Sequence, residues 1–234
     1  AISASFNTPL AGVIFAMEVI MMEYTVTGFI PIIISAVIGS IACHLTFGSS
    51  PVFLIPELGV LNLWELPWLV LCSIAIGLIA TLLLVANTWL LRFRHHSFWI
   101  RFLTVGLCTG LAGVFVPAIL GMGYDTVQQA LLGEIGLGLL LVIIFAKLII
   151  FTLTFALGVP IGGIGPMFVL GACVGAATGI IGQFFAPDHA STIGFYAVIG
   201  MGGMMAAALN APLAALVAIL ELTHNPDTIL PSML

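Results

Sequence analysis

Charge is what this 234-residue sequence has least of: Asp, Glu, Lys and Arg together make up 6% of it, against 62% hydrophobic residues. Soluble domains carry about a quarter charged residues, so a mean hydropathy of +1.33 excludes a soluble globular domain and makes membrane lipid the expected surrounding. Positive charge is scarcer still. The basic residues are Arg92, Arg94, Arg101 and Lys147, too few to neutralise a run of phosphates, which excludes nucleic acid as a partner. Cysteine clusters are missing too. Cys43, Cys72, Cys108 and Cys173 stand singly in apolar stretches, without the spacing of a zinc site or redox pair, and read as inert packing residues. The sequence has no signal-peptide pattern at its start; it opens inside one helical pattern and stops as another begins. The expectation is a single transmembrane domain over 1–234 that is part of a longer membrane domain.

A spanning helix needs about 20 apolar residues. On that measure 3–22, 28–47, 67–91, 98–121 and 133–157 are conventional spans. The stretches 160–185 and 194–222 are equally apolar, but glycines together with Pro160, Pro166 and Pro212 interrupt them. Such segments predict helices that break at membrane depth, tolerated where the freed backbone is buried in protein or lines a cavity. The connections 48–66 and Pro187–Ser191 read as exposed loops. Three of the four basic residues fall in "RFRHHSFWIR" at 92–101, which places that loop on the cytoplasmic side.

One phrase is written twice. "NTPLAGVIFAME" begins at Asn7 and "NAPLAALVAILE" at Asn210, an offset of 203 residues that also relates Pro9 to Pro212, Leu10 to Leu213 and Glu18 to Glu221. Counting spans from the basic loop puts Glu18 near the cytoplasmic face and Glu221 near the other, so the copies run upside down relative to each other, as in inverted-repeat transporters. The alternative is convergent helix-start chemistry, with Asn as cap and Pro in the first turn.

The stretch "GVPIGGIGPMFVLGACVGAATG" at 158–179 carries the chemistry. Gly171, Gly175 and Gly179 follow the small-residue spacing of close helix contacts. Gly162, Gly163, Gly165 and Pro166 do not, because adjacent glycines and a proline cost helix stability without supplying a packing face. Instead they leave the amides of Gly162, Gly163, Ile164 and Gly165 at the start of a helix, with Pro166 in its first turn, where unsatisfied N–H groups and the positive dipole end favour an anion. No basic residue lies within the stretch, and partial charges allow the reversible binding that conduction needs. Glu18 and Glu221 are intramembrane carboxylates, with a role in accepting backbone bonds near a helix end equally open. Lys147 is expected to snorkel or to pair, with no partner named by the sequence. His44, His95, His96, His189 and His224 sit near segment ends and read as interface residues; Asp125 and Glu134 read as solvated.

The segments "SFNTPLAGVIFAMEV", "GVPIGGIGPMFVLGACVGAATG" and "IGMGGMMAAALNAPLAALVAILELTHNP" resemble, in this order, the CLC family of chloride channels and chloride/proton antiporters. The resemblance implies an all-α polytopic membrane protein with the inverted-repeat CLC fold, broken and re-entrant helices, one anion pathway per subunit and a homodimer. It implies chloride as the transported ligand, no other cofactor, and a plasma or bacterial inner membrane. Gly162–Pro166 corresponds to the second-half selectivity motif, with the amides of Gly163 and Ile164 facing the central anion; the family often has phenylalanine where Ile164 stands. Glu18 matches a glutamate common in the family and is a proton-coupling candidate, and Val19 occupies the position of the internal proton glutamate of several coupled members. The first-half selectivity and gating motifs have no counterpart, so the expectation is that these residues form the C-terminal larger part of such a domain and do not transport alone.

Two rivals remain open at this stage. A cation-coupled secondary transporter would need carboxylates converging at mid-membrane, and only Glu18 and Glu221 are available. An intramembrane enzyme would need a nucleophile with its base, or a metal cluster, at membrane depth, and no such group is visible in these residues.

Overall fold

Prolines, glycines and two asparagines decide where the helices stop. The computed structural model describes residues 2–48, 52–55, 65–95, 97–185, 191–223 and 232–233. α1 (Ile2–Phe6) halts at Asn7, which takes a left-handed conformation with φ 54°, and Pro9 opens α2 (Pro9–Phe15), continued by a π-helical turn over Ala16–Met21. α3 (Val26–Phe47) ends at Gly48, and α4 (Leu66–Leu90) runs on through a 3-10 turn at Leu91–His95. α5 (Phe98–Phe115) stops ahead of Pro117, where a short 3-10 turn leads through Gly121 and Gly123, both at positive φ, into α6 (Tyr124–Leu132). α7 (Leu137–Ala156) closes with Gly158 donating to Phe155 O and Val159 to Thr154 O, the paired C-terminal bonds that a left-handed glycine permits. α8 (Ile164–Phe185) and α9 (Ile193–Leu209) follow, and Asn210, again at φ 54°, turns the chain into α10 (Pro212–Thr223).

Five of these helices are long and apolar enough to cross a membrane: Thr27–Phe47, Leu66–His95, Phe98–Phe115, Leu137–Ala156 and Ile164–Phe185. Four match the expected spans, with corrections at their ends, since Pro117 stops α5 early and Gly133 and Gly136 delay α7. The expected conventional span 3–22 is instead broken at Asn7, by the same Asn-x-Pro chemistry that breaks 194–222 at Asn210. In 160–185 the interruption precedes the helix and does not divide it. The nine-residue α6 gives no apolar span in the sequence, because its polar Asp125, Thr126, Gln128 and Gln129 dilute the signal. Most of 48–66 and 187–190 lies outside the described residues, as do His96, His189 and His224. Gly48, Leu54 and Leu66 of the first connection are exposed as expected, whereas Glu65 and Ser191 are buried, Glu65 Oε1 accepting a 2.7 Å bond from Ser191 Oγ.

α8 is the centre of the molecule, packed by α9, α7, α6 and α4, whereas α3 and α5 present mostly exposed apolar side chains. A buried central helix ringed by apolar-faced helices is the pattern of an integral membrane protein, where lipid takes the place of water. The α8–α9 contact depends on missing side chains. A Cβ on Gly171 would stand 2.2 Å from Gly200 O, and one on Gly175 2.0 Å from Tyr196 O, backbone atoms that cannot step aside. Gly179 faces the Tyr196 ring at 3.1 Å. Gly175→Ala should therefore force the helices apart and destabilise the protein by about 1–3 kcal/mol or more. Gly110→Ala on exposed α5, where a Cβ meets nothing within 4 Å, should leave thermal unfolding in detergent unchanged or slightly raised. Equal midpoints for the two variants would refute the close-packed α8–α9 contact.

Candidate functional site

The two copies of the repeated phrase lie side by side and antiparallel, and each closes the other. Glu18, at the C-terminal end of the first copy, accepts bonds from Leu213 N (3.1 Å) and Ala214 N (2.8 Å) in the first turn of α10. Glu221, at the end of the second, accepts from Leu10 N (2.9 Å) and Ala11 N (2.8 Å) in the first turn of α2. The 203-residue offset thus relates donors as well as acceptors. Pro9 and Pro212 occupy the first helical positions, where an N–H would be unsatisfied anyway, and a carboxylate takes the two amides that follow. Negative charge at a helix N-terminus also complements the dipole. Both carboxylates are half-buried and stand at opposite ends of a helix pair, about 12 Å apart along the axis by helical rise.

The start of α8 receives no such partner. Among the described residues no protein acceptor is recorded for the amides of Gly162, Gly163, Ile164 or Gly165, although Gly163 O already accepts from Met167 N at 3.3 Å to start the helix. All four, with Pro166, line a cavity of about 690 Å³. Its remaining walls come from α1 (Ile2, Ser5, Phe6), α5 (Val105, Gly106, Thr109), the 119–122 turn, and α7 (Lys147, Ile150, Phe151, Thr154). Gly158, the first glycine of the stretch, does different work: its amide is used in closing α7.

The absence of basic residues within 158–179 does not carry over to three dimensions. Lys147, from the middle of α7, reaches the cavity wall, is 4% exposed, and donates to Ile119 O (2.8 Å) and Gly121 O (3.1 Å). It therefore pairs with backbone and does not snorkel. Arg101 Nη1 donates to Leu157 O at 2.8 Å, placing a cation on the C-terminal, dipole-negative end of α7. A Cβ on Gly158 would lie 3.3 Å from both Arg101 Nη1 and Arg94 Nε, so two of the loop cations sit over the approach to the glycine stretch. The sequence signal for these contacts is weak, since the acceptors are backbone carbonyls. Val19 packs, partly buried, against the apolar core.

Inverted helical repeats, helix ends left inside the protein, and apolar outer faces define a polytopic membrane transport fold. The chain belongs to the voltage gated chloride channel family, whose sequence model matches residues 1–234, in agreement with the CLC resemblance of its motifs. It is 30% identical over 239 residues to the H(+)/Cl(-) exchange transporter ClcA of Vibrio cholerae, covering 98% of this chain and 51% of that protein. The same identity holds over 243 residues with the H(+)/Cl(-) exchange transporter ClcA of Salmonella typhimurium, covering 100% of this chain and 51% of that one. The crystal structure of a slow cyanobacterial Cl-/H+ antiporter has the same fold, with a TM-score of 0.86 at 20% identity over 99% of this chain and 56% of that one. The chain spans about half the length of the curated relatives it matches.

Replacing either capping carboxylate by its amide puts an NH₂ donor against a backbone N–H donor. Glu18→Gln and Glu221→Gln should each lose about 1.5–3 kcal/mol and lower the thermal midpoint by similar amounts, because the two sites are equivalent. A variant that melts with the unaltered protein would show that its cap contributes nothing.

Proposed function

We propose that this chain forms one wall of a chloride pathway, in which the anion is held by the backbone N–H groups of Gly162, Gly163, Ile164 and Gly165 at the start of α8, with Pro166 fixing the first turn. The observation that carries this reading is the contrast among helix starts in one molecule. α2 and α10 are closed by carboxylates, whereas α8 opens into a cavity and its first amides have no acceptor among the described residues. A dipole-positive helix end with free N–H groups in a low-dielectric cavity favours a small anion, and neutral donors hold it weakly enough to let it leave.

The cation-coupled alternative loses its ligands on this reading, because both intramembrane carboxylates of the repeat are engaged by two backbone N–H groups each. Glu18 is assigned to helix capping ahead of proton carriage. Proton-coupled exchange is the second reading, favoured by the names of the curated relatives; Val19 offers no titratable group, so coupling would require a different proton carrier. Chloride is the transported ligand, with no catalytic chemistry and no further cofactor. Membrane lipid and a second copy of the protein are the remaining partners, in a plasma or bacterial inner membrane.

Chloride efflux from liposomes holding the full native polypeptide, recorded together with external pH, tests both readings. Chloride flux is expected. Proton movement opposite to chloride in a fixed ratio would select exchange, flux without protons would select passive conduction, and no anion flux would overturn the proposed function.

A further inference from the structure

A lone positive charge in the interior of a membrane protein needs an explanation, and Lys147 has only part of one. It lies about 14 Å from either end of α7 by helical rise, too deep for its head to reach an interface, and is almost wholly buried. A charge in that position is expensive and is retained where it is paired or functional. The partners recorded for it are two neutral carbonyls, Ile119 O and Gly121 O, with no carboxylate at ion-pair distance among the described residues. An ammonium has three N–H donors, and the described residues supply acceptors for two of them. Carbonyl dipoles solvate the ammonium without cancelling its charge. The turn that supplies them has Gly121 at φ 64° and Gly123 at φ 75° on either side of Met122.

Lys147 and the 162–166 backbone line the same cavity while coming from different helices. We propose that Lys147 is a specificity-determining residue of this cavity, supplying the fixed positive charge that attracts a small anion and excludes cations, while the α8 amides supply the directional bonds. The proposal rests on reading the cavity as an anion path. Two of the three ammonium donors are occupied by carbonyls, which tempers the attraction and keeps binding reversible. A purely structural lysine would pin the 119–121 turn and would affect folding stability, but would not set chloride affinity.

The test measures chloride binding by isothermal titration calorimetry to the full native polypeptide in detergent, for the unaltered protein, Lys147→Gln and Lys147→Arg. The amide keeps hydrogen-bond donors and removes the charge; the guanidinium keeps both. We expect Lys147→Gln to weaken chloride binding about tenfold or more, the scale of one unit charge acting across about 12 Å at an effective dielectric constant of about 20, and Lys147→Arg to stay within about threefold of the unaltered protein. A folded Lys147→Gln that binds chloride within about threefold of the unaltered protein overturns the proposal. If Lys147→Gln does not fold, ¹⁵N-lysine labelling of the unaltered protein decides. A saturable chloride-dependent shift of the Lys147 Nζ resonance, with the calorimetric Kd, supports it, and an Nζ resonance indifferent to saturating chloride overturns it. Failure of the unaltered protein to bind chloride at all would instead strike the anion reading of the cavity, and this proposal with it.

Discussion

A backbone N–H or C=O that ends a helix inside lipid has no water to turn to, and this constraint bears on the broken helices of this chain. The starts of α2 and α10 are closed by the protein's own scarce charge. Glu18 and Glu221 are placed so that one carboxylate serves two amides, and two carboxylates serve two helices. At the other polarity, Arg101 takes the carbonyl of Leu157, which caps α7, and Lys147 covers the carbonyls freed by the turn between α5 and α6. With 6% charged residues, nearly every charge at depth is tied to a helix end or a break. The start of α8 has no such partner among the described residues, and it lines the cavity.

The inverted repeat makes this economy possible. An antiparallel pair of like helices brings the C-terminal end of each copy against the N-terminal end of the other, so a single Asn-x-Pro…Glu phrase supplies both the break and the acceptor that satisfies it. The first copy ends in a π-helical turn and the second stays α-helical, yet the carboxylates reach equivalent amides. Around this pair the close approach of α8 and α9 at Gly171, Gly175 and Gly200 fixes the long buried helix whose open end lines the cavity. Rigid packing along the middle of α8 thus positions the amides at its start.

Much of this is legible in the sequence where side-chain identity dictates backbone geometry. Asn210 and Pro212 announce their turn, Pro166 its helix start, and Gly171, Gly175 and Gly179 their contact. The break at Asn7 is invisible to hydropathy although the same phrase encodes it, because a hydropathy window averages over one left-handed residue. Mutual capping also follows from the repeat once its antiparallel sense is taken seriously: equal offsets bring each glutamate to the other's proline. The rest has no sequence signature. The partners of Lys147 are carbonyls 26 and 28 residues upstream, and Arg101 donates to the carbonyl of Leu157, with Arg94 beside Gly158. Backbone atoms look alike at every position, so nothing in the sequence singles them out.

The central claim is that the uncapped start of α8 takes an anion where its counterparts take carboxylates. Crystals of the full native polypeptide grown in bromide test it directly through anomalous scattering. The account predicts a bromide peak within hydrogen-bond reach of the amides of Gly163 to Gly165. Bromide bound elsewhere in the protein, with none at those amides, would contradict it.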